Sequence, residues 1–527
     1  MTFKNVEELR RAETAALPER QLARVLGYYA ENDGGGGDFY WLRGASTTLP
    51  APNLGTVFAP LAGGSQAHGR WIRLVNSHQL NVLWFGVKPL AFDDPAIATA
   101  ADSVAEANLR RIHQAIESLP SVPGGSALSG RAHNVELYFP SLPFVRGAVD
   151  ASTWIPNSQS TLYFISDTLR VTKNCTLAGD GLDRTRLAFV RGAAPDAQRE
   201  KFVVDFEKWG IEGTTPSQGE TFECHLRDMA IDGGGADNPG SSGVRMDGAQ
   251  MSSISNVAVS DVGLRGIVAS AYILHNLSIS RVARGPGLEV TDQGSDFGFV
   301  CASHLFVGFV NVEETPAGFV AGPHKDKSPA GIGDGDYWPA VQLNRCEHFT
   351  CADLRVERAP IALKVGLCGH VLINHLSASA PTATKGLSAI KLKNPKDGSY
   401  VGSVTLHGID VTGYDHALWD NAASPDASRT PSNMRYAALS SFHRDSNGVH
   451  SGVAKFQGQG PEAPLQIYAH ENANASGEWL CELYDRPLTA KAGAKEPVFR
   501  VRNDGLIQSR GGVVPVATQP LRITASP

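Results

Sequence analysis

The chain has 527 residues, of which 42% are hydrophobic and 19% charged, with 55 glycines and a formal net charge of −6. These values favour one elongated or several compact, turn-rich domains, and they exclude a long disordered chain. The mild negative charge excludes the broad basic surface that a nucleic-acid-binding protein presents. The seven cysteines are odd in number and widely spaced, which excludes a disulfide framework and a paired zinc motif. We therefore expect no metal and no cofactor.

The first residues do not resemble a secretion signal, because no apolar core follows the start of the chain. No run of apolar residues is long enough to span a membrane, so we expect no membrane insertion. The scattered thiols favour synthesis in a reducing cytoplasm.

A small β domain is predicted for residues 1–80. Residues 5–24 predict a short amphipathic helix that a proline interrupts. Gly34–Gly37 separates two aromatic-rich strand candidates, and no Gly-Lys-Ser/Thr follows, so the glycines indicate a turn rather than a phosphate loop. Segments 56–60 and 69–74 continue the domain as strands.

A second domain is predicted for residues 81–425. It opens with a strand at 81–87, followed by a helix at 95–119 whose apolar side includes Ile112 and Ile116. A helix in this place would cover the open end of a stack of strands, which otherwise exposes unpaired edges.

Short strands repeat through this second domain. Residues 255–260 recur as 275–280, each an alternating apolar segment behind a polar residue. The residues that precede the equivalent segments are Asp228, Asn256, Asn276, His304, Asp353, His375 and Gly408. The steps between them are 28, 20, 28, 49, 22 and 33 residues, and the step of 49 is interpreted as two turns with an insertion. Unequal steps exclude a propeller and favour a β-solenoid over residues 160–425.

A C-terminal β domain is predicted for residues 426–527. Residues 425–450 are polar and are interpreted as a linker. Four strand candidates follow at 453–456, 464–468, 479–483 and 497–501, and an Asn-Asp-Gly turn signal precedes a fifth.

The chain resembles the pectate-lyase-like right-handed β-helix family over residues 25–425. The resemblance rests on the opening strand and helix, on Tyr138-Phe139-Pro140, and on the segments 165–169 and 177–181. Residues 26–41 are similar to the small N-terminal module that precedes the β-helix in many phage tailspikes and depolymerases. The family's Gly-Asp-Gly-x-x-Asp-Asp turn is reduced here to Phe92-Asp93-Asp94.

The resemblance implies an all-β, right-handed, single-stranded parallel β-helix that forms a homotrimer. We expect the C-terminal β domain at residues 426–527 to trimerise the chain or to bind a ligand. It implies a phage tail protein, made in the host cytoplasm and acting outside the cell, that uses its N-terminal module to join a tail or baseplate protein. The partner implied for the β-helix is a bacterial surface polysaccharide, which members hydrolyse, cleave by elimination, deacetylate or only bind. The polygalacturonase motifs are incomplete in this chain, so that catalytic set is not transferred.

Glycoside hydrolysis requires two carboxyl groups, and one region rich in them follows a strand at residues 287–291. Glu289, Asp292 and Asp296 are the catalytic candidates there. The competing interpretation is that the aspartates form a turn and that Glu289 is solvated.

The second region is the insertion at residues 313–339, because loops on a rigid scaffold concentrate binding residues. Asp334 and Asp336 are catalytic candidates. The candidates for substrate binding are Tyr337, Trp338, His324 and Lys325. The competing interpretation is a flexible glycine loop or a trimer contact, and the spacing excludes a calcium loop.

Elimination across a uronate is a further possibility, with His304, His324, Lys391 or Lys393 as the base. Solvated outward side chains are the simpler interpretation of the two lysines. We therefore expect a tailspike-like protein that recognises and depolymerises a host glycan, with hydrolysis favoured over elimination. The alternatives are a non-enzymatic, adhesin-like tail protein and a cellular polysaccharide lyase or hydrolase.

Overall fold

The structure is a computed structural model. It describes residues 1–45, 47–61, 69–75, 78–91, 97–119, 135–142, 160–206, 221–247, 249–270, 272–291, 299–310, 338–344, 346–366, 368–380, 386–393, 401–421, 434–436, 441–444, 450–453, 479–483, 499–502, 507–509 and 512–514.

A small mixed sheet forms the N-terminal part of the chain. Its elements are β1 (Thr2–Phe3), α1 (Val6–Arg11), β2 (Leu22–Val25), β3 (Gly37–Arg43), β4 (Val57–Phe58) and β5 (Gly69–Arg73). The strand order is β1-β2-β3-β5-β4, and the sheet encloses its own apolar cluster around Phe39, Trp41, Phe58 and Trp71. The helix predicted over 5–24 is wrong beyond Arg11, because the alternating residues of β2 pair with β3 and bury Ala23 and Val25.

The four-glycine segment lies in the connection between β2 and β3, as predicted, and the carbonyls of Gly35 and Gly36 accept hydrogen bonds from Arg73. The Asp33 carboxylate accepts backbone N–H bonds from Tyr28, Tyr29, Ala30 and Gly35 at 2.7–3.1 Å. A cluster of amides of this kind binds anions, and here an internal carboxylate occupies it. The Asp33 carboxylate therefore already binds the Gly35 amide of this segment.

The rest of the described chain is almost entirely strand. The elements are β6 (Gln79–Asn81), a 3₁₀ turn (Val82–Phe85), β7 (Leu90–Ala91), α2 (Ile97–Ser118), β8 (Val135–Tyr138), β9 (Thr161–Ile165), β10 (Leu169–Arg170), β11 (Cys175–Ala178), β12 (Thr185–Phe189), β13 (Lys201–Asp205), β14 (Thr221–Phe222), β15 (His225–Asp232), a 3₁₀ turn (Gly235–Asp237), β16 (Ser241–Met246), β17 (Ala249–Gln250), β18 (Ser253–Val262), β19 (Ile267–Ala269), β20 (Ile273–Val282), β21 (Leu288–Thr291), β22 (Phe299–Val310), β23 (Pro339–Asn344), β24 (Cys346–Cys351), β25 (Leu354–Glu357), β26 (Ile361–Val365), β27 (Cys368–Ile373), β28 (Leu376–Ser379), β29 (Gly386–Lys393), β30 (Val401–Leu406), β31 (Ile409–Thr412), β32 (Tyr414–Asn421), β33 (Met434–Tyr436), β34 (Ser441–Arg444), β35 (His450–Val453), β36 (Trp479–Leu483), β37 (Phe499–Arg502), β38 (Ile507–Ser509) and β39 (Gly512–Val514).

Two long sheets run through the centre of the molecule, one of ten strands and one of eighteen. From β15 to β32 the chain passes repeatedly from one of these sheets to the other, and their strands pair in parallel with the equivalent strands of the next coil. Buried apolar side chains from both sheets form one continuous core. This arrangement is a parallel β-helix, and the predicted fold class is confirmed.

The repeat that the sequence shows is one column of the eighteen-stranded sheet. Residues 255–260 of β18 lie directly beside 275–280 of β20. Leu305 pairs with Leu354, so Asp353 stacks immediately after His304. The 49-residue step is therefore a single coil with a long insertion, and its interpretation as two turns is wrong.

The start of the β-helix agrees only in part with the elements predicted from the sequence. The helix α2 forms as predicted and buries Ile112 and Ile116 against the first coils. The strand predicted at 81–87 is a 3₁₀ turn instead, because the Asn81 side chain accepts the Leu83 N–H and Gly86 ends the turn in a left-handed conformation. No described helix is long and apolar enough to cross a membrane.

The C-terminal part contains a four-stranded antiparallel sheet, β36 to β39. Two of its strands coincide with the candidates at 479–483 and 497–501, and β37 pairs with β38 across the predicted turn. The candidates at 453–456 and 464–468 lie almost wholly outside the described residues.

Candidate functional site

Of the predicted site residues, Glu289 and Trp338 are described. Glu289 lies in β21 between the buried Leu288 and Val290, and its own side chain points away from the β-helix core. Trp338 is half-buried and directly precedes β23. The other predicted site residues lie outside the described residues, namely Asp292, Asp296, His324, Lys325, Asp334, Asp336 and Tyr337.

The two predicted regions border the same pair of neighbouring strands. β21 and β23 are parallel, with Glu289 opposite Gln342. The chain leaves β21 after Thr291, whereas it enters β23 at Pro339 after the insertion. The first region therefore follows one end of this strand pair, and the second precedes the other end.

Glu289 is part of an ion-pair network on the outer face of the ten-stranded sheet. Arg265 donates from Nη1 to Glu289 at 2.8 Å, and from Nε to Glu200 at 2.7 Å. The Glu289 side chain is 7% exposed. Burial would lower the pKa of Arg265, but the hydrogen bonds and charges of Glu200 and Glu289 raise it overall. Arg265 thus holds the two carboxylates together, and a substrate reaching Glu289 has to compete with this guanidinium.

A second ion pair continues the network. Arg245 donates from Nε to Asp205 at 2.7 Å. The guanidinium groups of Arg245 and Arg265 both lie over the ring of Phe202, at 5.2 and 5.4 Å from its centroid. The sequence motifs did not single out Asp205 or Glu200, because their partners are 40 and 65 residues away along the chain.

Further polar side chains extend the row that contains Glu289. Glu289, Gln342, Lys364, Lys391 and Trp419 follow one another in register across five strands. Lys391 is 2% exposed, with its ammonium 4.6 Å from the Trp419 ring centroid, so its interpretation as a solvated side chain is wrong. The buried Oε1 of Gln342 has no hydrogen-bond partner. Among the described residues, the outer face of this sheet therefore carries the buried charge of Lys391 and the unsatisfied acceptor of Gln342.

The eighteen-stranded sheet carries a different polar column, formed by the residues that precede each repeat. Asn276 donates to Asn256 Oδ1, and Asn256 donates to Asp228 Oδ1, both at 2.9 Å. These three residues and His304 have φ between +49° and +58°. Asn, Asp and His tolerate this left-handed conformation better than other non-glycine residues, which explains their choice here.

Further along the column, amides give way to imidazoles. Two imidazole side chains, those of His304 and His375, lie on either side of the Asp353 carboxylate. His375 Nδ1 lies 2.6 Å from Asp353 Oδ1, and His304 Nδ1 lies 4.0 Å from Asp353 Oδ2. All three side chains are substantially exposed. Neighbouring rows add two histidine–serine pairs, His275 with Ser303 and His370 with Ser403. Within the described part of the chain, no group of three or more His, Cys, Asp or Glu is arranged to hold a metal ion.

Comparison with known proteins identifies the N-terminal sheet. Residues 2–76 match the phage tail protein small four-stranded beta-sheet domain. The predicted resemblance of the N-terminal module to phage tail proteins is thereby confirmed. No curated protein matches the chain.

Among solved structures, the chain is similar to several phage tailspikes. The enzymatically active domain of tailspike protein 2 from bacteriophage CBA120 is 12% identical, with 75% of this chain and 51% of that chain covered and a TM-score of 0.44. Full-length tailspike protein 2 from this Escherichia coli O157:H7 phage is 13% identical, with 75% and 46% covered and a TM-score of 0.43. The tailspike of Acinetobacter baumannii phage AM24 is 12% identical, with 79% and 63% covered and a TM-score of 0.40. The chain thus spans about half the length of the first two of these tailspike chains.

Proposed function

We propose that this protein is a tailspike-like receptor-binding protein that recognises a host cell-surface polysaccharide and depolymerises it. The observation that carries the proposal is a phage-tail domain at residues 2–76 followed directly by a parallel β-helix. The N-terminal domain would join the protein to a phage tail or baseplate protein. The β-helix would act on the glycan outside the cell.

The β-helix suits a long polymer as its ligand. Its coils place equivalent side chains in rows, with neighbouring strands about 4.8 Å apart. The outward rows on both sheets are rich in carboxylates, imidazoles, amides and hydroxyls. Such rows can hydrogen-bond successive sugar residues along the polymer.

Hydrolysis remains the predicted reaction, and elimination its alternative. Glu289, Asp292 and Asp296 are proposed as the carboxylates of a hydrolytic site in the first region, and Asp334 and Asp336 as those of the alternative site in the second region. Tyr337, Trp338, His324 and Lys325 are proposed to contact the sugar. For Glu289 to act as a nucleophile or a base, its ion pair with Arg265 has to open when substrate binds.

The test uses the purified protein and capsule or lipopolysaccharide from a panel of candidate bacterial hosts. Binding is measured by biolayer interferometry, cleavage by new reducing ends, and elimination by absorbance near 235 nm from a new double bond. Hydrolysis gives reducing ends alone, whereas elimination gives both signals.

The variant Glu289→Gln separates a catalytic role of Glu289 from a structural one. A catalytic carboxylate predicts a loss of cleavage of about 100-fold or more at a temperature at which the variant is still folded. The melting temperature is expected to fall in either case, because Gln removes the buried ion pair with Arg265. Binding without either cleavage signal contradicts the enzymatic part and favours the adhesin-like alternative. Failure to bind any host glycan contradicts the proposed function itself.

A further inference from the structure

Two phenylalanines lie outside the apolar core, on the coil that precedes the long insertion. In β22, Leu305 and Val307 belong to the continuous core and are 1% and 0% exposed. Side chains alternate along a strand, so Phe306 between them faces outward, and it is only half-buried. Phe309, three residues further on, is half-buried as well. Packing of the core therefore does not explain these two rings.

A glycine leaves room for the Phe306 ring on the surface of the sheet. A Cβ atom on Gly308 would lie 2.9 Å from Cζ of Phe306, which is closer than such atoms approach. Gly308 is not among the described glycines with positive φ, so the backbone does not require a glycine here. The equivalent residues of the neighbouring coils are Ser280 and Glu357. Glycine thus occurs in the coil where a ring covers this position, and it lets the ring lie close to the strand.

Phe309 and Arg358 keep large side chains in an unfavourable backbone conformation. They are equivalent residues of neighbouring coils, with φ of +55° and +52°, and bulky residues rarely adopt this left-handed region. Gly413 occupies the same corner of the β-helix two coils after Arg358, with a φ of +77°, so glycine fits there. The Arg358 guanidinium lies 5.0 Å from the centroid of the Phe309 ring. Residues held in such conformations cluster at functional sites.

Polar and charged groups surround the Phe306 ring. Arg355 lies directly opposite Phe306 on β25, and its side chain is 62% exposed. Its Nε and Nη2 donate to Glu357 Oε1 at 3.0 and 2.6 Å. Arg358 is exposed, and no ion pair within the described part of the chain includes it. Ser278 lies opposite Phe306 on the preceding coil. The surface thus combines an aromatic ring with hydrogen-bond donors and acceptors.

This combination suits a sugar ring better than it suits a protein surface. A pyranose has an apolar face of C–H groups, which packs on an aromatic ring, and an edge of hydroxyl groups, which needs hydrogen-bond partners. The centre of a protein–protein interface, in contrast, is depleted of charged residues. Here two arginines and a glutamate stand beside the rings.

We propose that Phe306, Arg355 and Arg358 form a non-catalytic binding site for a pyranose ring of the host polysaccharide. Phe306 packs against the apolar face of the sugar, and the two arginines donate hydrogen bonds to its hydroxyl groups. The inference rests on the proposed function and adds a second contact with the polymer, because Glu289 belongs to the ten-stranded sheet and Phe306 to the eighteen-stranded sheet. The site holds the polymer without touching the bond that is cleaved.

The test compares four variants on a host polysaccharide that the wild-type protein binds: Phe306→Ala, Gly308→Ala, Arg358→Gln and Tyr272→Ala. Phe306→Ala removes the ring, whereas Gly308→Ala keeps the ring and displaces it. Tyr272 precedes β20, is 51% exposed and serves as the matched aromatic control. Biolayer interferometry gives Kd, new reducing ends give kcat and KM, and sedimentation equilibrium gives the mass of the assembly. All measurements are made at a temperature at which melting curves show the variants to be folded.

We expect Phe306→Ala and Gly308→Ala each to weaken binding by about tenfold. KM should rise while kcat stays within about twofold, because the lost contact is the same in the ground state and the transition state. Arg358→Gln should weaken binding by about threefold, as the loss of a hydrogen bond predicts. Tyr272→Ala should bind and cleave like the wild-type protein, and the mass of the assembly should not change in any variant.

Three results overturn the inference while the proposed binding function stands. They are wild-type affinity in both Phe306→Ala and Gly308→Ala, a loss of kcat in these variants without a loss of affinity, and a smaller assembly in Phe306→Ala. The last result would identify this surface as a contact between copies of the chain. Failure of the wild-type protein to bind any glycan of the host panel, in contrast, overturns the proposed function and the inference with it.

Discussion

At the scale of single residues, left-handed backbone geometry favours the side chains of Asp228, Asn256 and Asn276 in the polar column. Asn276 has a φ of +49° and donates a 2.9 Å hydrogen bond to Asn256. An ordinary L-residue in the left-handed region costs roughly 1–2 kcal/mol, and a hydrogen bond contributes about 1 kcal/mol. Asn276 satisfies both requirements although its side chain is exposed.

Substitutions at Asn276 separate the two contributions. Asn276→Ala loses the hydrogen bond and strains the backbone, so it should lower the free energy of unfolding by about 2–3 kcal/mol. Asn276→Gly loses only the hydrogen bond and should be less destabilising. Urea denaturation followed by circular dichroism measures both, with Ser278→Ala on the same strand as the control. If Gly destabilises as much as Ala, backbone strain does not explain the choice of Asn.

At the scale of elements, buried charge joins neighbouring coils of the ten-stranded sheet. Arg265 precedes β19 and connects Glu200, which precedes β13, with Glu289 of β21. The side chains are 24%, 15% and 7% exposed, respectively. Because partly buried carboxylates without a partner are poorly solvated, this arginine matters more than a surface arginine does.

The substitution Arg265→Ala should therefore destabilise the β-helix by about 3 kcal/mol, since it leaves two carboxylates without their cation. Arg191→Ala is the comparison, because Arg191 and its partner Asp237 are 80% and 51% exposed and such a pair contributes at most about 1 kcal/mol. Urea denaturation of both variants measures the difference. Equal losses would mean that the network is solvated and contributes no more than a surface pair.

At the scale of the whole molecule, the described residues form two separate apolar cores. The N-terminal sheet closes around its own cluster, and the β-helix has one continuous core. Contacts join the two parts, including a 2.8 Å hydrogen bond from Tyr29 Oη to the Gly86 carbonyl. Separate cores support the proposal that the N-terminal part attaches to a phage tail and that the β-helix recognises the ligand.

The homotrimer is a prediction at this scale. Sedimentation equilibrium of the full chain should give three times the chain mass of 56.1 kDa. A chain that lacks residues 1–76 should also form trimers, because trimerisation is expected from the C-terminal β domain. A monomeric mass for the full chain would contradict the prediction. If the full chain forms trimers and the shortened chain does not, the contact between subunits lies in the N-terminal part instead.

The amino-acid sequence was sufficient for the class of fold and for the repeat. Alternation of apolar and polar residues is a local property, and it shows which side chains face the core. The seven residues from Asp228 to Gly408 were therefore aligned correctly before their contacts were known. The strand at 479–483 was found in the same way.

Only the tertiary structure decided which coils are neighbours and which polar groups meet. A pattern of period two carries no information on whether 49 residues make one coil or two, and pairing of Leu305 with Leu354 settles it as one. For the same reason, the contacts of Arg265 with Glu289 and of Asp353 with His375 depend on register between coils. The side chains on which the chemistry depends are brought together by stacking, which the local sequence does not encode.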